Sequence, residues 1–139
     1  MFWSRNKVPL ITIAVILLGA GTIAGGYGLE YRQEQRQMIE RAQAITGGSV
    51  TRGQTAFANF GCGSCHAIKG VPQASGKVGP PLDGVGDRVI LAGRLKNTPQ
   101  NMQTWIRDPR SVDPQTAMPY LGLNEQQARD ISAFLYTLS

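Results

Sequence analysis

The chain has 139 residues, room for one small domain and a further segment. The formal net charge is +5, but it is spread along the chain with no basic run and no aromatic–basic interleaving, which argues against nucleic-acid binding. With 17 glycines and eight prolines the chain calls for many turns, and a domain this small buries so little surface that it needs a staple.

From the N-terminus, Arg5 and Lys7 precede Val8 to Leu29, 22 residues without a charge. As a helix they reach about 33 Å, close to a hydrocarbon core. The positive flank places the N-terminus in the cytoplasm and everything after Leu29 outside it. A cleaved signal peptide is the competing reading, because Leu10 to Leu18 has the length of its apolar region. No Ala-x-Ala site follows and the apolar run continues to Leu29, so residues 1–29 are expected to be a retained anchor. Gly21-x-x-x-Gly25 and Ala20-x-x-x-Ala24 would give it a small-residue face. Residues 30–48 read as a helical stalk that Gly47-Gly48 ends as a hinge.

Residues 49–139 read as the soluble domain, with nine Lys/Arg against six Asp/Glu. A first helix is expected over Thr51 to Phe60. Gly- and Pro-rich loops follow over residues 67–100, then a middle helix from Thr98 to Arg107, stopped by Pro109. Asn124 and Gln127 form a capping-box pattern, which starts a last helix running to Leu138. Ala128, Ile131, Phe134, Leu135 and Leu138 share its apolar face. No alternating strand pattern stands out, so the fold class is all-α.

Both cysteines and the single histidine fall within Cys62-Gly63-Ser64-Cys65-His66, the attachment pattern for a c-type haem. Two thiols three positions apart can add to the two vinyl groups of one porphyrin, and the adjacent imidazole then lies over the iron. A disulfide redox motif would sit at a helix start after a strand, whereas here the motif ends a helix. Tetrahedral zinc would be one ligand short. One covalent haem c is therefore the expected cofactor and the expected staple.

With one histidine in the chain, a sixth iron ligand falls to methionine. Met118 lies in a turn-rich loop, Ala117-Met118-Pro119, 52 residues beyond His66, and can reach the opposite haem face. Met102 lies in the middle helix beside Trp105 and Ile106, where an apolar side chain normally fills core. His66 and Met118 are the expected metal ligands. That pair raises the reduction potential relative to more basic ligands, and with both positions filled the remaining chemistry is outer-sphere electron transfer.

From Ser49 onward the chain resembles class I cytochromes c, especially bacterial membrane-bound ones. Gly53 and Phe57 stand before Cys62 as that family's Gly and aromatic do, and Ile131 and Phe134 match their packing partners in the last helix. The resemblance implies a small cytochrome c fold, three to four helices and loops wrapped around one haem, preceded by one transmembrane helix. It implies that first and last helices cross at Gly53, whose missing side chain lets the backbones touch. Val78-Gly79-Pro80-Pro81-Leu82 resembles the family's Gly-Pro-x-Leu segment, by which the Pro80 carbonyl accepts from His66 Nδ1. Arg88 matches a position whose guanidinium meets a haem propionate, and Trp105 an aromatic beside the haem. Asn97 to Pro109 with Met118-Pro119 looks like cytochrome c domains attached to haem–copper oxidases. The chain departs from those fused proteins in having one span and too few Cys and His for a dinuclear copper set.

The expected function is one-electron transfer in a respiratory or photosynthetic chain, on the periplasmic face of a bacterial inner membrane, by an electron carrier rather than an enzyme. The expected partners are redox proteins: a quinol-oxidising complex, a dehydrogenase or a terminal oxidase. Contact with the membrane is through residues 8–29, and no nucleic acid or small-molecule substrate is expected. A haem peroxidase or gas sensor with a labile sixth ligand is the alternative. Lys69, Lys77, Arg94, Lys96 and Arg110 are expected to border the haem crevice as a weak positive rim, which would speed encounter with an acidic partner.

Overall fold

The computed structural model describes residues 7–138. They divide into two compact units, one up to Gln37 and one from Met38 onward. Helix α1 covers Lys7–Thr46. In its first unit Ile16 and Leu18 are 67% and 71% exposed, and the helix is long and apolar enough to cross a membrane. Arg5 lies outside the described residues.

The second unit is mostly helical. It holds the last turns of α1, then α2 (Val50–Asn59), α3 (Cys62–Cys65), α4 (Pro99–Arg107), α5 (Pro109–Val112) and α6 (Glu125–Leu135). The helix starts follow from their caps. Ser49 Oγ accepts from Arg52 N–H and Thr98 Oγ1 from Asn101 N–H. Before α6 the capping box closes in both directions: Gln127 N–H donates to Asn124 Oδ1 at 2.8 Å and Asn124 N–H to Gln127 Oε1 at 2.9 Å.

The core is built on the crossing of α2 with α6. A Cβ at Gly53 would run into the Asp130 carbonyl, so only glycine permits this approach. Phe57 and Phe134 meet edge to face with ring centroids 5.5 Å apart. Ile131, Leu135, Ile68, Ala74, Leu82, Val85, Leu91, Met102, Ile106 and Leu123 complete the buried cluster. The crossing expected from the resemblance is therefore present, at the expected glycine.

One buried carboxylate ties this crossing to the chain entering it. Asp130 Oδ1 accepts from Ser49 N–H at 2.7 Å, Arg52 Nη2 at 2.9 Å and Gln126 Nε2 at 2.9 Å, while Oδ2 accepts from Arg52 Nε at 2.8 Å. Burial pushes the Asp130 carboxyl up. The bonds from Arg52, Ser49 and Gln126, with the charge of Arg52, outweigh that and hold it below its usual value.

Gly47 ends α1 in the left-handed conformation at φ 69°. Gly48 lies against the Arg129–Asp130 backbone, where a Cβ would collide. Ala42 and Thr46 are buried, and Gln103 Nε2 donates to the Thr46 carbonyl at 3.1 Å. These last turns of α1 thus pack as part of the second unit, and the Gly47-Gly48 turn is held by α6.

Three features depart from the sequence expectation. A two-stranded antiparallel hairpin, β1 (Ile90–Leu91) with β2 (Leu95–Lys96), turns through Ala92 and Gly93, both at positive φ. Two residues per strand are too few for an alternating pattern to register. The short α5 begins at Pro109, which stops α4 but starts a new turn capped by Asp108 Oδ1 accepting from Ser111 N–H. Helix α6 ends at Leu135, before the expected Leu138. There Thr137 and Leu138 donate to the carbonyls of Phe134 and Leu135, which tightens the last turn.

Candidate functional site

Cys62, Cys65 and His66 stand on one short turn. Gly61, left-handed at φ 67°, breaks the end of α2 and starts α3, and His66 N–H donates to the Cys62 carbonyl at 3.0 Å. The two thiols are thereby presented three positions apart on a single turn, with the imidazole next in the chain. Cys62 and Cys65 are not joined in a disulfide, and both are partly buried. Burial pushes the Cys62 thiol up, with Cys65 adding to the rise. A disulfide redox motif needs the opposite, a thiolate stabilised at low pKa. Among the described residues no cluster of three or more His, Cys, Asp or Glu could hold a metal ion, as a protein-bound zinc would require.

The loop after the motif is built to fit the imidazole. Gly63 and Gly76 pack without side chains against the backbones of Gln73–Ala74 and Ser64–Cys65. A Cβ at Gly79 would run into the His66 ring, so the loop lies flat along the imidazole. Gly79 N–H donates to the Cys65 carbonyl and Leu82 N–H to the Ala67 carbonyl, each at 2.8 Å. Between them the Pro80 carbonyl lies 2.8 Å from His66 Nδ1. A carbonyl only accepts, so Nδ1 is the donor in this bond, which leaves Nε2 as the nitrogen able to face a ligand. That arrangement suits a metal ligand, and a carbonyl partner at the other nitrogen fixes the ring and raises its basicity. The residues present thus fit a haem iron at His66 Nε2.

Other expected residues fall at different places. Arg88 follows a short 3₁₀ turn, Val85–Asp87, and its Nη2 donates to the carbonyls of Pro81 at 2.5 Å and Asp83 at 3.2 Å. Met102 is 2% exposed and belongs to the core cluster. Trp105 is half-buried on α4. Met118 is half-buried in the loop after α5, with its N–H donating to Thr116 Oγ1 at 3.2 Å, between exposed Ala117 and Pro119. Among the described residues no protein hydrogen bond joins Met118 or Trp105 to the His66 loop. Asn97 and Tyr136, which the sequence did not single out, hold the 3₁₀ turn to the end of α6. An isolated amide in a loop carries no periodic or motif signal by which it could have been found.

The family profile Cytochrome c matches residues 50–139, more than half of the chain. The chain belongs to the cytochrome c family. Haem binding and electron transfer are therefore the work of this cytochrome c domain. The cytochrome c oxidase subunit 2 of Alkalihalophilus pseudofirmus is 31% identical over 110 residues, covering 78% of this chain and 31% of the relative. That of Bacillus sp. strain PS3 is 30% identical over 107 residues, covering 74% and 30%. That of Bacillus subtilis is 26% identical over 110 residues, covering 76% and 31%. The chain spans about a third of the length of these curated relatives. No solved structure matches it.

Proposed function

We propose that this chain is a membrane-anchored mono-haem cytochrome c that carries single electrons on the periplasmic face, as a carrier or as a subunit of a larger redox complex. The observation that carries the reading is the His66 Nδ1 to Pro80 carbonyl bond at 2.8 Å, immediately after two thiols on one turn. Thioether bonds from Cys62 and Cys65 would hold the haem, and His66 Nε2 and the Met118 sulfur would ligate its iron. The bound haem supplies a one-electron couple at its iron. The chain's residues do the rest. The two thiols keep the cofactor in a domain too small to enclose it, Pro80 orients His66, and Gly79 keeps the loop close to the ring. The burial of Met102 in the core supports Met118 as the sulfur donor, since an apolar side chain already packed there has no call to leave. Arg88 faces the crevice loop and would meet a propionate with the nitrogens that do not serve the Pro81 and Asp83 carbonyls.

The partners proposed are redox proteins, a quinol-oxidising complex, a dehydrogenase or a terminal oxidase. The names of the relatives support an oxidase, and the exposed apolar first unit of α1 supports an anchor in a bilayer. The test is the absorption spectrum of the full chain purified in mild detergent. An ascorbate-reduced c-type spectrum that carbon monoxide does not alter is expected. Rapid carbon monoxide binding to the native reduced protein would transfer the assignment to a gas-binding or peroxidase haem.

A further inference from the structure

The 3₁₀ turn Val85–Asp87 is weakly held by its own backbone. Its closing bonds, Asp87 N–H to Gly84 and Arg88 N–H to Val85, are 3.2 and 3.4 Å long. One side chain compensates. Asn97 Nδ2 donates to the Arg88 carbonyl at 2.7 Å and the Val85 carbonyl at 2.9 Å, with the Gly86 carbonyl at 3.4 Å. Three carbonyls around one nitrogen settle the orientation of the amide. Its oxygen, on the other side, accepts from the Tyr136 hydroxyl at 2.7 Å. Asn97 is itself fixed by its own N–H donating to the Val89 carbonyl at 2.9 Å.

From Arg88 the connection continues to the imidazole. The guanidinium donates to the carbonyls of Pro81 and Asp83. Pro80 and Pro81 have no N–H, so this dipeptide cannot anchor itself by donating. Its place is set by Gly79 and Leu82 on either side and by Arg88 from above. The Pro80 carbonyl in turn accepts from His66 Nδ1.

We infer that Asn97, held by Tyr136 and acting through Arg88 on the Pro80–Pro81 carbonyls, is a positioning residue that sets the strength of the His66 Nδ1–H bond and with it the reduction potential. The inference rests on the haem reading above. A firm acceptor at Nδ1 makes the imidazole more basic and favours the oxidised iron. Loosening the acceptor therefore moves the potential upward.

The experiment uses the full-length holoprotein in detergent and measures midpoint potential, the proton resonance of His66 Nδ1–H and the melting temperature. Asn97→Ala is expected to raise the potential and speed solvent exchange of the Nδ1 proton. Tyr136→Phe, which removes only one hydroxyl and keeps the ring packed, is expected to do both to a smaller degree. In the Arg88→Ala background, Asn97→Ala should add little to either readout, since its route is already cut. If both variants lower the melting temperature and leave the potential and the Nδ1 proton unmoved, Asn97 is only a structural clamp and the inference is overturned. Full additivity of Asn97→Ala with Arg88→Ala would overturn the route through Arg88. Wild-type protein with no haem would instead refute the haem reading itself, a result distinct from either.

Discussion

The crossing of α2 on α6 and the loop from Cys65 to Arg88 hold their backbones by different physics. At the crossing, two helices that have satisfied their own hydrogen bonds meet through Gly53, Phe57, Ile131 and Phe134. In the loop there is no repeating ladder. The chain is placed by Ile68, Ala74, Leu82 and Val85 reaching into the core and, between them, by single bonds: Gly79 to Cys65, Leu82 to Ala67, Arg88 to Pro81 and Asp83, and the Pro80 carbonyl to His66. The first region resists change because dense packing leaves no room. The second can be retuned one bond at a time. Stability is concentrated in the crossing, and the chemistry of the imidazole in the loop.

Four substitutions test that division, taken from the largest expected effect. Met118→Ala should keep the haem covalently bound yet open the sixth position, lowering the potential and admitting carbon monoxide. Unchanged ligation, read from the visible spectrum, would remove Met118 from the site. Gly53→Leu sets a side chain against a backbone carbonyl that cannot rotate away, and should cost about 3 kcal/mol in denaturant unfolding. Whatever fraction still folds should retain its potential; a shifted potential would mean the two regions are coupled.

Asp130→Ala strands the Ser49 N–H and the Gln126 amide, and should cost about 1–3 kcal/mol. Its pH dependence has a definite sign. The carboxyl titrates lower folded than unfolded, so its contribution is complete above about pH 4 and is lost as pH falls through the folded value. The gap in stability between wild type and variant should therefore close on acidification below pH 4. A gap that widened there would reject the carboxylate as the anchor.

Ser132→Ala is the smallest change and opposite in direction. Ser132 Oγ is fully buried with no hydrogen-bond partner among the described residues. Removing it should raise stability by about 1 kcal/mol, seen as a higher melting temperature with unchanged spectrum.

The same division explains what could be read in the residues alone. The apolar face of α6 follows helical periodicity, and Asn124 with Gln127 announces its start by local chemistry, whereas Gly53 and Phe57 stood out only through the resemblance and the caps at Ser49 and Thr98 came from the structure. The Cys62–His66 turn is contiguous in sequence, and so was legible. The Pro80 carbonyl was found only through resemblance, because a backbone acceptor leaves no mark on composition. Asn97 left none either, since its partners at residues 85, 88 and 136 meet it only after folding. The hairpin was hidden by its length and by Ala92, which takes a positive φ where glycine or asparagine would have signalled a turn. The packing of the last turns of α1 depends on Gly48 meeting α6, eighty residues away in the chain, and Gly-Gly by itself speaks only of a helix end.

The central claim concerns two sulfur atoms, and mass measurement reads them directly. Trypsin should release Gly53 to Lys69 as one peptide, because Arg52 and Lys69 flank the motif. The account predicts that this peptide, from protein matured in its native membrane, carries the mass of one haem that acidic acetone does not remove. Recovery of the same peptide at its bare mass, or with Cys62 and Cys65 joined in a disulfide, would contradict it.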